Sequence, residues 1–161
     1  MSSTAQNRKI WLGLLTVSLL LEVAALIFQY GLDYGPCILC VQIRALFLLI
    51  ALIAIAALLL PKAAKFVSPI FMLPCSATLL WFCYQVLGIE RGWFEGSCTF
   101  EAPFPDWIPL HEWLPSVFEP WELCGYTPDI IFGITMAETL MAISLGYMLA
   151  NGWLLKNLFN R

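Results

Sequence analysis

The amino-acid sequence predicts an all-α membrane protein: one domain over residues 1–161, built as a four-transmembrane-helix bundle with both termini cytoplasmic. Composition, four long apolar stretches and a one-sided distribution of Lys and Arg carry that expectation. Of the residues, 61% are hydrophobic and 12% charged, where soluble domains average about 45–50% and about 25%. A core of this size cannot hide so much apolar surface, so the natural solvent is the lipid bilayer. The net charge of −3 includes no basic excess of the kind that marks a nucleic-acid partner.

The apolar stretches are Ile10–Gln29, Val41–Leu60, Phe66–Leu87 and Ile130–Leu155. Each supplies the ~20 residues that a helix needs to cross ~30 Å of hydrocarbon. Pro69 and Pro74 fall in the third, where proline kinks a membrane helix rather than forbidding it. The fourth exceeds one span, so its ends protrude or the helix tilts. Arg8 and Lys9 give the first stretch a basic start, but its apolar run is longer than that of a cleaved leader, and a retained helix is expected.

Topology follows from the bases. Arg8, Lys9, Lys62, Lys65, Lys156 and Arg161 flank one set of helix ends, while Arg91 alone lies in the other two connections. By the positive-inside rule the termini are cytoplasmic and the loops 31–39 and 88–129 face outward. Glu22, Arg44 and Glu138 lie within or at the edge of the spans. An ionisable group at membrane depth is costly, so each is a pairing or functional candidate.

Four of the six cysteines, Cys37, Cys40, Cys98 and Cys124, fall on the outward side, where disulfides persist in a bacterial inner membrane. Cys37-Ile-Leu-Cys40 is a C-x-x-C at the start of the second helix. Unpaired N–H groups and the positive dipole end favour thiolate there. Arg44 lies one turn beyond Cys40 on the same helix face, able to stabilise a Cys40 thiolate or to donate to an electronegative ligand atom. Cys98 and Cys124 read either as a staple across a long loop or as a second exchangeable pair. A four-cysteine zinc site needs two tight pairs, which Cys98 and Cys124 do not make. A haem attachment needs His directly after the second cysteine, and Val41 stands there. Cys75 and Cys83, inside the third helix, read as small apolar packing residues.

The middle of the long loop, Phe104 to Phe118, is rich in Trp, Phe and Pro. Trp prefers the headgroup region, and Pro109–Val117 is expected to form a short interfacial helix. His111, the single histidine, has no evident sequence partner and takes no role.

Together these residues resemble the DsbB family of quinone-dependent disulfide bond formation proteins. The likeness rests on Leu21-Glu22, on Gly35-Pro-Cys-Ile-Leu-Cys40 followed by Arg44, on Cys98, on Phe104-Pro-Asp-Trp-Ile-Pro-Leu110, on Cys124, and on Gly133 with Met136 opening the fourth helix. It implies a thiol:quinone oxidoreductase of the bacterial inner membrane. A reduced DsbA-type thioredoxin-fold partner in the periplasm would attack a Cys98–Cys124 disulfide at Cys98. Cys124 would then attack Cys37, leaving Cys40 as a thiolate against a ubiquinone or menaquinone drawn from the membrane pool. Cys40, Arg44 and Met136 are the implied quinone contacts. The histidine that some members carry at the outer end of the third helix is absent, and Gln85 and Arg91 are the local candidates to replace it. Two competing readings are a relative of the vitamin K epoxide reductases, whose C-x-x-C lies late in the bundle, and a membrane scaffold with merely structural disulfides.

Overall fold

The computed structural model describes residues 2–60, 64–93, 95, 104–122, 124–125, 127–131 and 133–159. It is mostly helical. The elements are α1 (Ser2–Gly31), α2 (Ile38–Leu59), α3 (Ala64–Glu90), α4 (Leu110–Trp113), α5 (Pro115–Phe118), β1 (Asp129–Ile131), β2 (Ile134–Thr135) and α6 (Met136–Phe159). Three segments, Asn7–Gly31, Ile38–Leu59 and Pro69–Glu90, are long and apolar enough to cross a membrane. A fourth long helix, α6, has 24 residues, about 36 Å at 1.5 Å per residue.

Helix α1 packs on α2, α2 on α3 and α3 on α6. The shared core holds Phe47, Ile50, Met72, Leu79 and Leu154. Equally large apolar side chains, among them Leu20, Leu52, Phe71 and Leu149, point away from it and are exposed. Helices that are apolar on every face are lipid-facing outside and protein-facing inside, and the chain is a membrane protein on that pattern.

Polar groups inside the helical layer find each other. The Tyr147 hydroxyl on α6 donates to Leu14 O at 3.2 Å and lies 2.8 Å from Ser18 Oγ on α1. Proline leaves α3 short of a donor at Pro69 and again at Pro74. There the Asn151 amide of α6 enters the helix ladder, its nitrogen donating to Pro69 O at 3.1 Å and its oxygen accepting from Leu73 N at 3.2 Å. A side chain inserted in this way is one of the recognised causes of a helix bend.

Two expectations need correction. The fourth apolar stretch is not helical from Ile130. Residues Asp129–Ile131 and Ile134–Thr135 pair as a small antiparallel ribbon, with Gly133 at φ +78° in the turn, and α6 starts only at Met136. Its start is set by a capping box: Thr135 Oγ1 accepts from Glu138 N at 3.3 Å, and Glu138 Oε2 accepts from Thr135 N at 3.1 Å. Apolar content alone does not separate a short strand from a helix turn. The expected helix Pro109–Val117 is likewise two single turns, α4 and α5, broken at Leu114 (φ −137°, ψ 67°). Leu114 precedes Pro115, whose ring disfavours helical backbone in the residue before it.

Because Tyr147 carries the hydroxyl that joins α6 to α1, Tyr147→Phe is expected to lower stability by roughly 0.6 kcal/mol. Reversible denaturant unfolding in detergent micelles checks this; an unchanged midpoint would show the bond contributes nothing.

Candidate functional site

Chemistry-bearing residues gather at one end of the molecule, where α1 ends and α2 and α6 begin. Helix α1 closes at Gly31, with Tyr34 N–H returning to Phe28 O at 3.0 Å. The chain then crosses through Gly35 and Pro36 to Cys37, the N-cap of α2. Cys37 has extended backbone (φ −83°, ψ 170°), and its Sγ accepts from Cys40 N at 3.3 Å. The sulfur thus takes the capping place that Ser, Thr, Asp or Asn usually fills. α2 starts three residues earlier than the apolar run suggested, so Cys40 lies inside its first turn. Both thiols are free and Cys37 is buried.

The pair is asymmetric. The side-chain hydrogen bond with Cys40, and then burial, push the Cys37 thiol well above its ordinary value. A helix N-terminus alone was expected to favour the thiolate. For Cys37 that preference is outweighed, because removal from water and a neighbouring sulfur both favour the protonated form.

Arg44 is buried one turn further along α2. Its guanidinium donates to Gln29 Oε1 at 2.6 Å and Ala25 O at 3.0 Å on α1, and to Val117 O at 3.0 Å on α5. Gln29 is fully buried and donates onward to Ser116 O at 3.4 Å, and Tyr30 OH donates to the same oxygen at 2.6 Å. The arginine therefore also ties a turn of the long loop to two helices, a duty that its spacing from Cys40 did not reveal. Gln29, a lone amide closing an apolar stretch, was the available signal.

The loop that carries Cys124 docks on the loop that carries Cys37. Trp121 N and Glu122 N both donate to Pro36 O, at 2.9 and 3.3 Å. Gly35 makes this approach feasible: a Cβ there would lie 2.9 Å from both Trp121 Cβ and Glu122 Cγ. Cys124, three residues after Trp121 in sequence count, is disulfide-bonded. Cys98 lies outside the described residues, as do Lys62, Glu101 and Arg161.

Between these parts is a mainly apolar cavity of about 120 Å³ whose lining includes Glu22, Cys37, Cys40, Arg44 and Met136. For scale, an apolar cavity of ~150 Å³ holds a benzene ring. Glu22 of α1 is buried and its Oε1 has no hydrogen-bond partner. Cys40, Arg44 and Met136 are thus brought together, whereas Gln85 and Arg91 are not part of the lining. Arg91 instead pairs with Glu138, which joins the end of α3 to the start of α6, and Thr127 of the loop before β1 donates to Glu90. His111 stacks on Phe104, with its Nδ1 buried and unpartnered. Cys75 and Cys83 are free thiols on α3, Cys83 fully within the core.

Residues 7–154 match the family model described as disulfide bond formation protein DsbB. A disulfide bond formation protein B of Shewanella frigidimarina is 35% identical over 146 residues, covering 84% of this chain and 82% of the relative. One from Haemophilus influenzae is 33% identical over 144 residues, covering 86% and 80%. A third, from Shewanella amazonensis, is 34% identical over 165 residues, covering 94% and 90%.

The upward shift at Cys37 has a direct readout. In the reduced protein Cys37 stays protonated, and slow to react with iodoacetamide, up to and beyond pH ~8.5, where an ordinary thiol is half ionised. Peptide mass spectrometry across a pH series checks this; alkylation of Cys37 at the rate of free cysteine would contradict the environment described.

Proposed function

The chain belongs to the DsbB family of disulfide bond formation proteins, and we propose that it reoxidises a periplasmic DsbA-type thiol oxidase and passes two electrons to a membrane quinone, ubiquinone or menaquinone. In this reading α6 is a fourth transmembrane helix, both termini are cytoplasmic, and the end bearing Cys37 faces the periplasm of a bacterial inner membrane. The Lys and Arg distribution supports that orientation.

One observation carries the reading: the C-x-x-C pair borders an apolar, ring-sized cavity beside a buried cation, with the Cys124 loop docked on the residue before Cys37. The lining suits a quinone head group. Its walls are apolar, Arg44 offers N–H donors to a ring oxygen, and Met136 supplies a polarizable wall. A bound quinone would supply a two-electron, two-proton acceptor.

The protein's own steps follow from thiol–disulfide exchange. A partner thiolate attacks Cys98 of a Cys98–Cys124 disulfide, forming a mixed disulfide and freeing Cys124. Cys124 attacks Cys37 of a Cys37–Cys40 disulfide, so Cys40 departs as thiolate into the cavity beside Arg44. The second partner thiol resolves the mixed disulfide and leaves the partner oxidised, with Cys98 reduced. Reduced Cys98 displaces Cys37 from Cys124, which restores the Cys98–Cys124 bond and leaves Cys37 and Cys40 reduced. The raised Cys37 thiol keeps its proton while Cys40 carries the charge.

Purified protein with ubiquinone or menaquinone and a reduced thioredoxin-fold partner tests this by quinone absorbance. Cys37→Ser and Cys40→Ser each reduce turnover to background; intact turnover in either would reject the electron-transfer reading. Cys98→Ser and Cys124→Ser abolish turnover with the protein thiol but spare it with a small dithiol. Gly35→Ala, by forcing the Trp121–Glu122 segment off Pro36, slows the protein-thiol reaction and leaves the small-dithiol reaction near wild type.

A further inference from the structure

Glu22 is a buried polar side chain of the cavity wall with an oxygen left unpartnered. It is 7% exposed, on a helix otherwise apolar around it, and its Oε1 has no hydrogen-bond partner. It is not neutralised by contact with Arg44: the guanidinium donates to an amide oxygen and two carbonyls. Among the described residues the only carboxylate–cation bridge is Arg91–Glu138. A carboxyl group buried in this way costs stability, offset within the fold by the field of the nearby Arg44 cation rather than by a hydrogen bond to its Oε1. Such a group is expected where a ligand or a proton completes it.

We propose that Glu22 is the proton carrier of the cavity, delivering one proton to the oxygen of a ligand ring bound beside it and Cys40. The inference rests on the quinone reading above. Oxidation of the Cys37 thiol and the Cys40 thiolate to a disulfide releases two electrons and one proton, whereas reduction of a quinone to the quinol consumes two of each. Cys37 gives up the one proton as its sulfur forms the bond to Cys40. Cys40 brings none, so the second proton, released as the reducing dithiol is oxidised, needs a carrier into the apolar cavity. Glu22 takes it and passes it to the ring oxygen, ending the cycle in the protonation state in which it began. Arg44 does not serve in this role, because a guanidinium remains protonated at any working pH. Within the described lining, Glu22 is the titratable group on the α1 wall, with Cys40 and Arg44 facing it from α2, and Glu122 at the loop cap.

The experiment compares wild type, Glu22→Gln and Glu22→Asp in detergent, with ubiquinone and dithiothreitol as the only substrates. Glu22→Gln keeps the shape but cannot carry a proton, and lowers kcat by about a hundredfold, the scale of a lost acid–base group. KM for ubiquinone changes little and the pH profile loses one limb. Glu22→Asp recovers part of the rate. Independently of turnover, quinone-free wild type shows a carboxyl change in the infrared difference spectrum between its dithiol and disulfide states, and Glu22→Gln lacks it. Wild-type kcat and pH profile in Glu22→Gln would overturn the proposal. So would an equal loss in both variants with no carboxyl signal in wild type, which marks a packing role. Failure of wild type itself to reduce quinone, or activity of Cys40→Ser, would instead remove the electron-transfer reading on which the proposal stands.

Discussion

A guanidinium that never loses its proton, placed inside a layer of apolar helices, needs hydrogen-bond acceptors around it. Arg44 engages Gln29, Ala25 and Val117 with three of its five N–H groups, and the arrangement at this end of the molecule follows from it. The acceptors come from α1 and α5, so satisfying the charge fixes α1 against α2 and pulls a turn of the long loop onto both. The cavity is the space left on the remaining side. Removing the arginine would therefore disturb two helices and a loop as well as a charge, and would leave the oxygen of the buried Gln29 amide without its partner.

Away from that node the helices are held by different means. Apolar contact joins them along their length, but lipid competes for such contact as well as protein does, so register depends on the few polar pairs. Tyr147 with Ser18 and Leu14 O fixes α6 to α1, and Asn151 joins α6 to α3 at the proline-weakened turn. The Arg91–Glu138 pair and the Thr135–Glu138 capping box hold the start of α6 beside the end of α3. Glu138, which the sequence marked only as a charge near a span, thus works in both.

The long helices were legible because one physical signal, sustained apolarity, specifies them, although their bounds shifted by between one residue, at the end of α2, and eight, at the start of α1. The C-x-x-C with Arg44 was legible because spacing on a helix is geometry written into sequence. What sequence could not supply were features set by meetings between distant segments. Gly35 reads only as a member of the Gly35-Pro-Cys-Ile-Leu-Cys40 motif until Trp121 and Glu122 are found against it. Arg44 reads as a ligand contact until its carbonyl partners appear. Residues 130–135 are as apolar as the helix they precede, and only Gly133 with the Thr135 cap indicated that the helix begins later. For Cys37 the local signal pointed one way and burial the other, and burial is a tertiary property.

Pro36 O receives two N–H groups from the loop that holds Cys124 and belongs to the peptide plane that ends at the Cys37 nitrogen. That plane is stiff, with only the dihedrals on either side of it free to turn. Displacement of the Trp121–Glu122 segment is therefore not absorbed by side-chain rotamers. It is delivered as a tilt to the Cys37 backbone, and so to the sulfur capping α2. The two loops are geared through a single oxygen atom, and a load applied to one by a docked protein reaches the first turn of the other's helix mechanically, with no change in covalent structure.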